Sequence, residues 1–202
     1  MSLPSFFDQA PTITLFDPLS RFLGAGDGVL DYGYQDAVKL AGHSCPTVAG
    51  TWLMIRAALK NLWPDSLPVR GAIEVFFPEQ DTAGTTGVQA AVASLITGAR
   101  GDDGFKGLAG QFDRRGLLFF DTPLESGIGF LRKDTGAKVQ TGFNGAVVPA
   151  APAMRGLLQK WADGVASAQE IDEFGQLWQD RVRRILVDHA DDPQLIRLST
   201  WG

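Results

Sequence analysis

The chain has 202 residues, 45% of them hydrophobic and 20% charged, with a formal net charge of −5. That length and balance suit one compact soluble-type domain with a substantial core, and an acidic chain without clustered Lys and Arg does not offer a nucleic-acid-binding surface. No apolar run approaches the ~18 residues of a membrane span. The opening MSLPSFFDQAPTITLFD lacks the basic and uninterrupted apolar regions of a signal peptide, and the single cysteine closes no internal disulfide, so a cytoplasmic protein is expected.

Residues 1–30 scatter aromatics and prolines and are expected to wrap the core. Tyr34 to Ala41 reads as a short helix entering a turn at Gly42. From Pro46, the residues Val48, Trp52, Ile55, Leu59 and Leu62 recur at helical spacing, a four-turn helix that Pro64 and Pro68 stop. Gly50 lets another element approach its backbone. Ile73 to Phe77 is strand-like, followed by a polar loop holding Glu79, Gln80 and Asp81. A second helix spans Val88 to Thr97, with Gly98 just past its end. The glycines at 101, 104, 107 and 110 suggest a mobile loop. Leu117–Phe120, Gly127–Arg132 and Lys138–Phe143 read as further strands, so the expected fold is α+β, with a mostly antiparallel sheet and helices packed on one face. The Pro/Ala-rich stretch 147–153 separates a core (1–146) from a helical C-terminal extension (147–202), packed on the core or at a dimer interface. Within that extension Met154, Leu157, Leu158 and Trp161 form one stripe, Ser167-Ala-Gln-Glu170 is a capping box, and Ile171, Phe174, Trp178, Val182 and Ile185 form a second stripe.

The scarce chemistry-bearing side chains fall together. Of one cysteine and two histidines, His43 and Cys45 stand two residues apart in Gly42-His43-Ser44-Cys45-Pro46. Pro46 suits the first helical position, which makes Cys45 the N-cap. There, unpaired amides and the positive end of the helix dipole stabilise a thiolate, and a nearby imidazole can act as a second metal ligand or a proton carrier. The plainer alternative is a buried cysteine beside a capping histidine.

The run Leu40 to Gly50, the helix after it and the stretch Asp81 to Asn144 resemble the formylmethanofuran dehydrogenase FmdE family, which carries a Gly-His-x-Cys-Pro segment opening a helix. The resemblance covers about residues 35–145. It implies a transition-metal site, most often zinc, in an α+β core that commonly dimerises. His43 and Cys45 match the family's motif and Asp81 its acidic position, whereas Ala83 and Ala99 stand where further cysteines would be. A Cys-x-x-Cys module that some relatives carry is missing from the sequence. The expected donors are therefore His43 and Cys45, with Asp81 or His189 as a third and water completing the shell around a divalent metal such as zinc.

Three functions follow. One is a metal-binding protein with an open coordination position for a small ligand, carrying out redox or hydrolytic chemistry or serving as a ligand-binding subunit. The others are a metal-free thiol enzyme using Cys45 with His43 as base, and a noncatalytic dimeric scaffold. A homodimer is expected from the apolar stripes of the C-terminal helices and the five tryptophans.

Overall fold

The computed structural model describes residues 3–201. Among them are six α-helices, a five-stranded mixed sheet and a two-stranded antiparallel ribbon, so the fold is α+β. In chain order the elements are β1 (Ile13–Phe16), α1 (Pro18–Phe22), β2 (Val29–Tyr32), α2 (Tyr34–Ala41), α3 (Pro46–Leu62), β3 (Ile73–Phe76), α4 (Thr86–Thr97), β4 (Leu118–Phe119), β5 (Ile128–Arg132), β6 (Lys138–Phe143), α5 (Ala153–Ala162), α6 (Ala168–Arg183) and β7 (Ile196–Ser199). A π-helical turn, Arg184–Asp188, extends α6.

The large sheet runs β4-β3-β5-β6-β7. All of its pairings are antiparallel except β3 with the two-residue β4, which is parallel. The long connection through α4 allows that parallel edge, since a tight turn joins only antiparallel neighbours. Ile73, Val75, Ile128, Phe130, Val139 and Thr141 face the helices and are buried. The alternate residues form the other face, where Phe76 stacks on Phe119 at 4.8 Å and meets Trp201 edge-on at 4.6 Å.

Three strands are not legible in the sequence. β1 and β2 pair as a ribbon from Ile13↔Tyr32 to Phe16↔Val29, in place of a looser wrap. Phe16 ties this ribbon to the main body by donating its amide to the Pro68 carbonyl (2.9 Å) and accepting from the Arg70 amide (2.9 Å). β7 comes from beyond the Pro/Ala-rich connector and completes the sheet beside β6. The glycine-rich loop is also pinned rather than free: Leu108 and Gln111 exchange amide bonds of 2.9 and 2.8 Å, and the Arg114 amide donates to the Phe105 carbonyl at 2.8 Å.

Helix α3 is the centre of the molecule. Burial extends beyond its apolar stripe and around the helix through Ala49, Leu53, Met54 and Ala58, leaving only Lys60 and Asn61 exposed. Gly50 makes this possible, because a β-carbon there would lie 2.7–2.8 Å from the ring of Phe143 at the end of β6. The Trp52 indole N–H donates to the Pro11 carbonyl at 2.8 Å, and its ring meets Tyr34 edge-on at 6.1 Å.

The C-terminal hairpin of α5 and α6 is more loosely attached. Val182, Ile185 and Leu186 are buried against the core, whereas Trp161 is 62% exposed and Val165 70% exposed, with Leu158 and Ile171 also at the surface. Trp161, Leu158 and Ile171 belong to the stripes on which the expectation of a homodimer rests. The Ser167 cap has the anticipated reciprocal bonds with Glu170, and Glu170 also pairs with Lys160 of α5.

A buried ionic cluster locks the ribbon, the β3 approach and the long loop together. Asp17 caps α1 by accepting from the Leu19 and Ser20 amides at 2.9 and 3.2 Å. It also accepts from Arg70 and Arg114, each at 2.9 Å. Arg70 in turn donates to the Leu95 and Ile96 carbonyls near the end of α4 (3.1 Å each). Burial opposes ionisation of Asp17, yet the donors from Arg70, Arg114 and Ser20 outweigh it and hold the carboxyl below its ordinary value of 3.8. Removing one partner of such a pair strands the other charge, so Arg114→Ala is expected to cost about 3–5 kcal/mol in chemical denaturation. Because the folded pKa is lowered, the Asp17 contribution is complete above its unfolded value and disappears as pH falls through the folded one. Acid unfolding of Asp17→Asn should accordingly show a flatter loss of stability below about pH 4 than the wild type; identical pH slopes would contradict the ionic role.

Candidate functional site

The Gly42–Pro46 turn forms as the sequence predicts. Gly42 ends α2 in the left-handed region at φ 75°, where a side chain is disfavoured, and Cys45 caps α3 with Pro46 following it. The Cys45 sulfur accepts from the Val48 amide at 3.4 Å and is 8% exposed. The turn is held from both sides. The Tyr34 and Ser44 hydroxyls bond at 3.1 Å, and the Ser44 carbonyl accepts from the Trp178 indole at 2.9 Å and the Gln179 amide at 3.2 Å. Burial pushes the Tyr34 phenol above its ordinary pKa, keeping it neutral.

His43 points elsewhere. It is exposed, and its Nδ1 bonds the Ala41 carbonyl at 3.0 Å. No hydrogen bond joins it to Cys45 among the described residues, so the nucleophile–base contact of a thiol enzyme is not formed here. Asp81 is exposed in the loop before α4, with its backbone carbonyl against Gly87. His189 bonds Asp192 at 2.9 Å. Its neighbours Ala190 and Asp191 receive Arg56, at 3.5 and 2.7 Å. Arg56 lies eleven residues (45 to 56) along α3 from Cys45, about 16 Å at the helical rise. His189 therefore serves the far half of α3.

These positions bear on the expected metal. Zinc asks for three or four donors close together, and among the described residues no three His, Cys, Asp or Glu side chains form such a group. Cys45 is engaged as a helix cap, His43 is turned to solvent, and His189 neighbours the far half of α3. Among the described residues, the donors of one chain do not fit the metal.

The topology places a different site beside this turn. β3 and β6 run in the same direction, each antiparallel to β5. The end of β3, the start of β5, the end of β6 and the amino ends of α3 and α4 therefore meet at one edge of the fold. They enclose a cleft of about 730 Å³, within the range of small-molecule sites. Its floor is made by Met54, Phe77, Leu124, Thr51 and Thr86, all buried, and its rim by Thr47, Glu79, Gln89, Glu125, Asn144 and Arg197.

One floor group stands out. The Thr51 hydroxyl is fully buried and has no hydrogen-bond partner among the protein's described residues; left so, such a group costs about 1–3 kcal/mol. Its neighbour Thr86 donates to the Glu79 carboxylate at 3.2 Å, and Thr85, at the head of α4, gives that helix no side-chain cap. None of these residues stands out from the sequence as His43 and Cys45 do. Their one signal is that Thr47, Gly50 and Thr51 interrupt an otherwise apolar helical face near its start.

No family model matches the chain, and no curated protein is significantly similar to it.

The capping role of Cys45 makes a direct prediction. Serine caps helices at least as well, so Cys45→Ser should hold or slightly raise the melting temperature, whereas Cys45→Ala should cost about 1 kcal/mol. Equal losses for both variants would show that the sulfur does something a hydroxyl cannot.

Proposed function

We propose that this chain is a small-ligand-binding protein whose site is the cleft at the amino ends of α3 and α4. The observation that carries the reading is the buried, unpartnered hydroxyl of Thr51 at the floor of a polar cleft. Buried polar groups are almost always bonded, and an exception at the bottom of a cleft is explained by an occupant that satisfies it. The cleft also draws its walls from several separate chain segments, a rigid frame that positions polar groups before a ligand arrives. This keeps the ligand-binding role that the sequence suggests and moves it from His43 and Cys45 to the neighbouring helix face. The resemblance to the FmdE family supports a site at this helix start, and the lone cysteine supports a cytoplasmic setting.

A backbone-amide NMR screen with a library of small polar fragments tests the reading. Binding fragments should shift the amides of Thr47, Thr51, Thr86 and Asn144 together. Shifts concentrated on the amides of the α5–α6 hairpin, or no saturable shifts at the cleft, would overturn it.

A further inference from the structure

Resting on the cleft reading above, we propose that the occupant is a neutral, polyhydroxylated molecule of the size of a monosaccharide or cyclitol. The charges and the hydrogen-bonding groups around the cleft together favour a neutral ligand over an ion of either sign. Glu79 and Glu125 stand on its rim, and among the described residues neither is paired with a lysine, arginine or histidine. Two carboxylates repel an anion. Arg197 does not cancel them at Glu79, because β7 lies three strand spacings from β3 in the order β3-β5-β6-β7, about 14 Å away across the sheet. A cation is drawn by the carboxylates but meets the partial positive charge at two helix amino ends and finds donors, not acceptors, at Thr51 and the Asn144 amide nitrogen. A neutral ligand escapes both.

The hydrogen-bonding groups specify what that neutral ligand must offer. Thr51 supplies a buried hydroxyl donor that needs an oxygen acceptor. Glu79 already accepts from Thr86, and its remaining lone pairs, like those of Glu125, can accept from a ligand. The Gln89 amide nitrogen donates to Thr85 at 3.1 Å, leaving its carbonyl oxygen to accept. The Asn144 carbonyl oxygen accepts from the Ala146 amide at 3.3 Å, leaving its amide nitrogen to donate. Donors from Thr51 and Asn144 and acceptors from Glu79, Glu125 and Gln89 therefore line the same cleft. Hydroxyl groups, each both donor and acceptor, answer that pattern better than a carbonyl or an amine. The apolar patch of Met54, Phe77 and Leu124 suits the C–H face of a sugar or cyclitol ring.

The test is saturation-transfer NMR and calorimetry on the full chain with D-glucose, D-galactose, D-ribose and myo-inositol, against sodium succinate and putrescine as charged probes. Thr51→Val removes the donor and keeps the shape; it also removes an unsatisfied buried group, so it should unfold at an equal or higher temperature than the wild type. At least one polyol is expected to bind saturably and to bind about tenfold more weakly to Thr51→Val. Failure of every polyol, or polyol binding that Thr51→Val leaves unchanged, overturns the proposal. So does stronger, Thr51-dependent binding of succinate or putrescine. In each of these cases fragment-induced amide shifts at the cleft would leave the broader ligand-binding reading standing, and their absence would remove both.

Discussion

The molecule depends on the close approach of α3 to β6 at Gly50. Without a side chain at that position, the helix backbone comes within van der Waals reach of the Phe143 ring. α3 then sinks into the fold deeply enough to be buried on nearly every side. Its depth sets the height at which Cys45 and Pro46 can start the helix, and therefore where Thr47 and Thr51 come to rest. The opening beside them exists because β3 and β6 end at the level where α3 and α4 begin. An ordinary core would close over this edge with apolar side chains. Here threonines, an asparagine, a glutamine and two glutamates surround it, and the space stays open.

That choice carries a stability cost. Valine at position 51 would preserve shape and eliminate an unsatisfied hydroxyl, and a capping side chain at Thr85 would strengthen α4. Both local improvements are missing at the same small region. Elsewhere Asp17, Arg70 and Arg114 form a network that joins the ribbon, the α4 end and the long loop, although Arg114 Nη1 within it and Gln179 Oε1 beside the Ser44 turn are also buried without a partner. What sets the cleft apart is that its unpartnered hydroxyl and its uncapped helix start lie beside open space, where an occupant can answer them.

Features set by neighbouring residues are legible in the sequence. Cys45 as N-cap, Pro46 at the first helical position, Gly98 past the end of α4 and the Ser167–Glu170 box each follow from interactions within one turn of helix, and each is present. β6 is legible to the residue because its polar and apolar positions alternate. The strands β1, β2 and β7 are not, because each becomes a strand only through a partner that the fold brings to it. The candidate site escapes for the same reason. His43 and Cys45 are close in sequence, but one turns to solvent and the other into the helix start. Thr51, Thr86, Glu79 and Asn144 come together only after the sheet has ordered its strands. Sequence proximity points to the same helix end as the cleft but to different side chains on it.

The most direct test of this account is a high-resolution crystal structure of the protein soaked in a saturating neutral polyol. The account predicts density for the polyol in the cleft, with an oxygen within hydrogen-bonding distance of the Thr51 hydroxyl and others facing Glu79 and Asn144. A cleft holding no polyol, with the Thr51 hydroxyl donating to its own helix carbonyl, would contradict it.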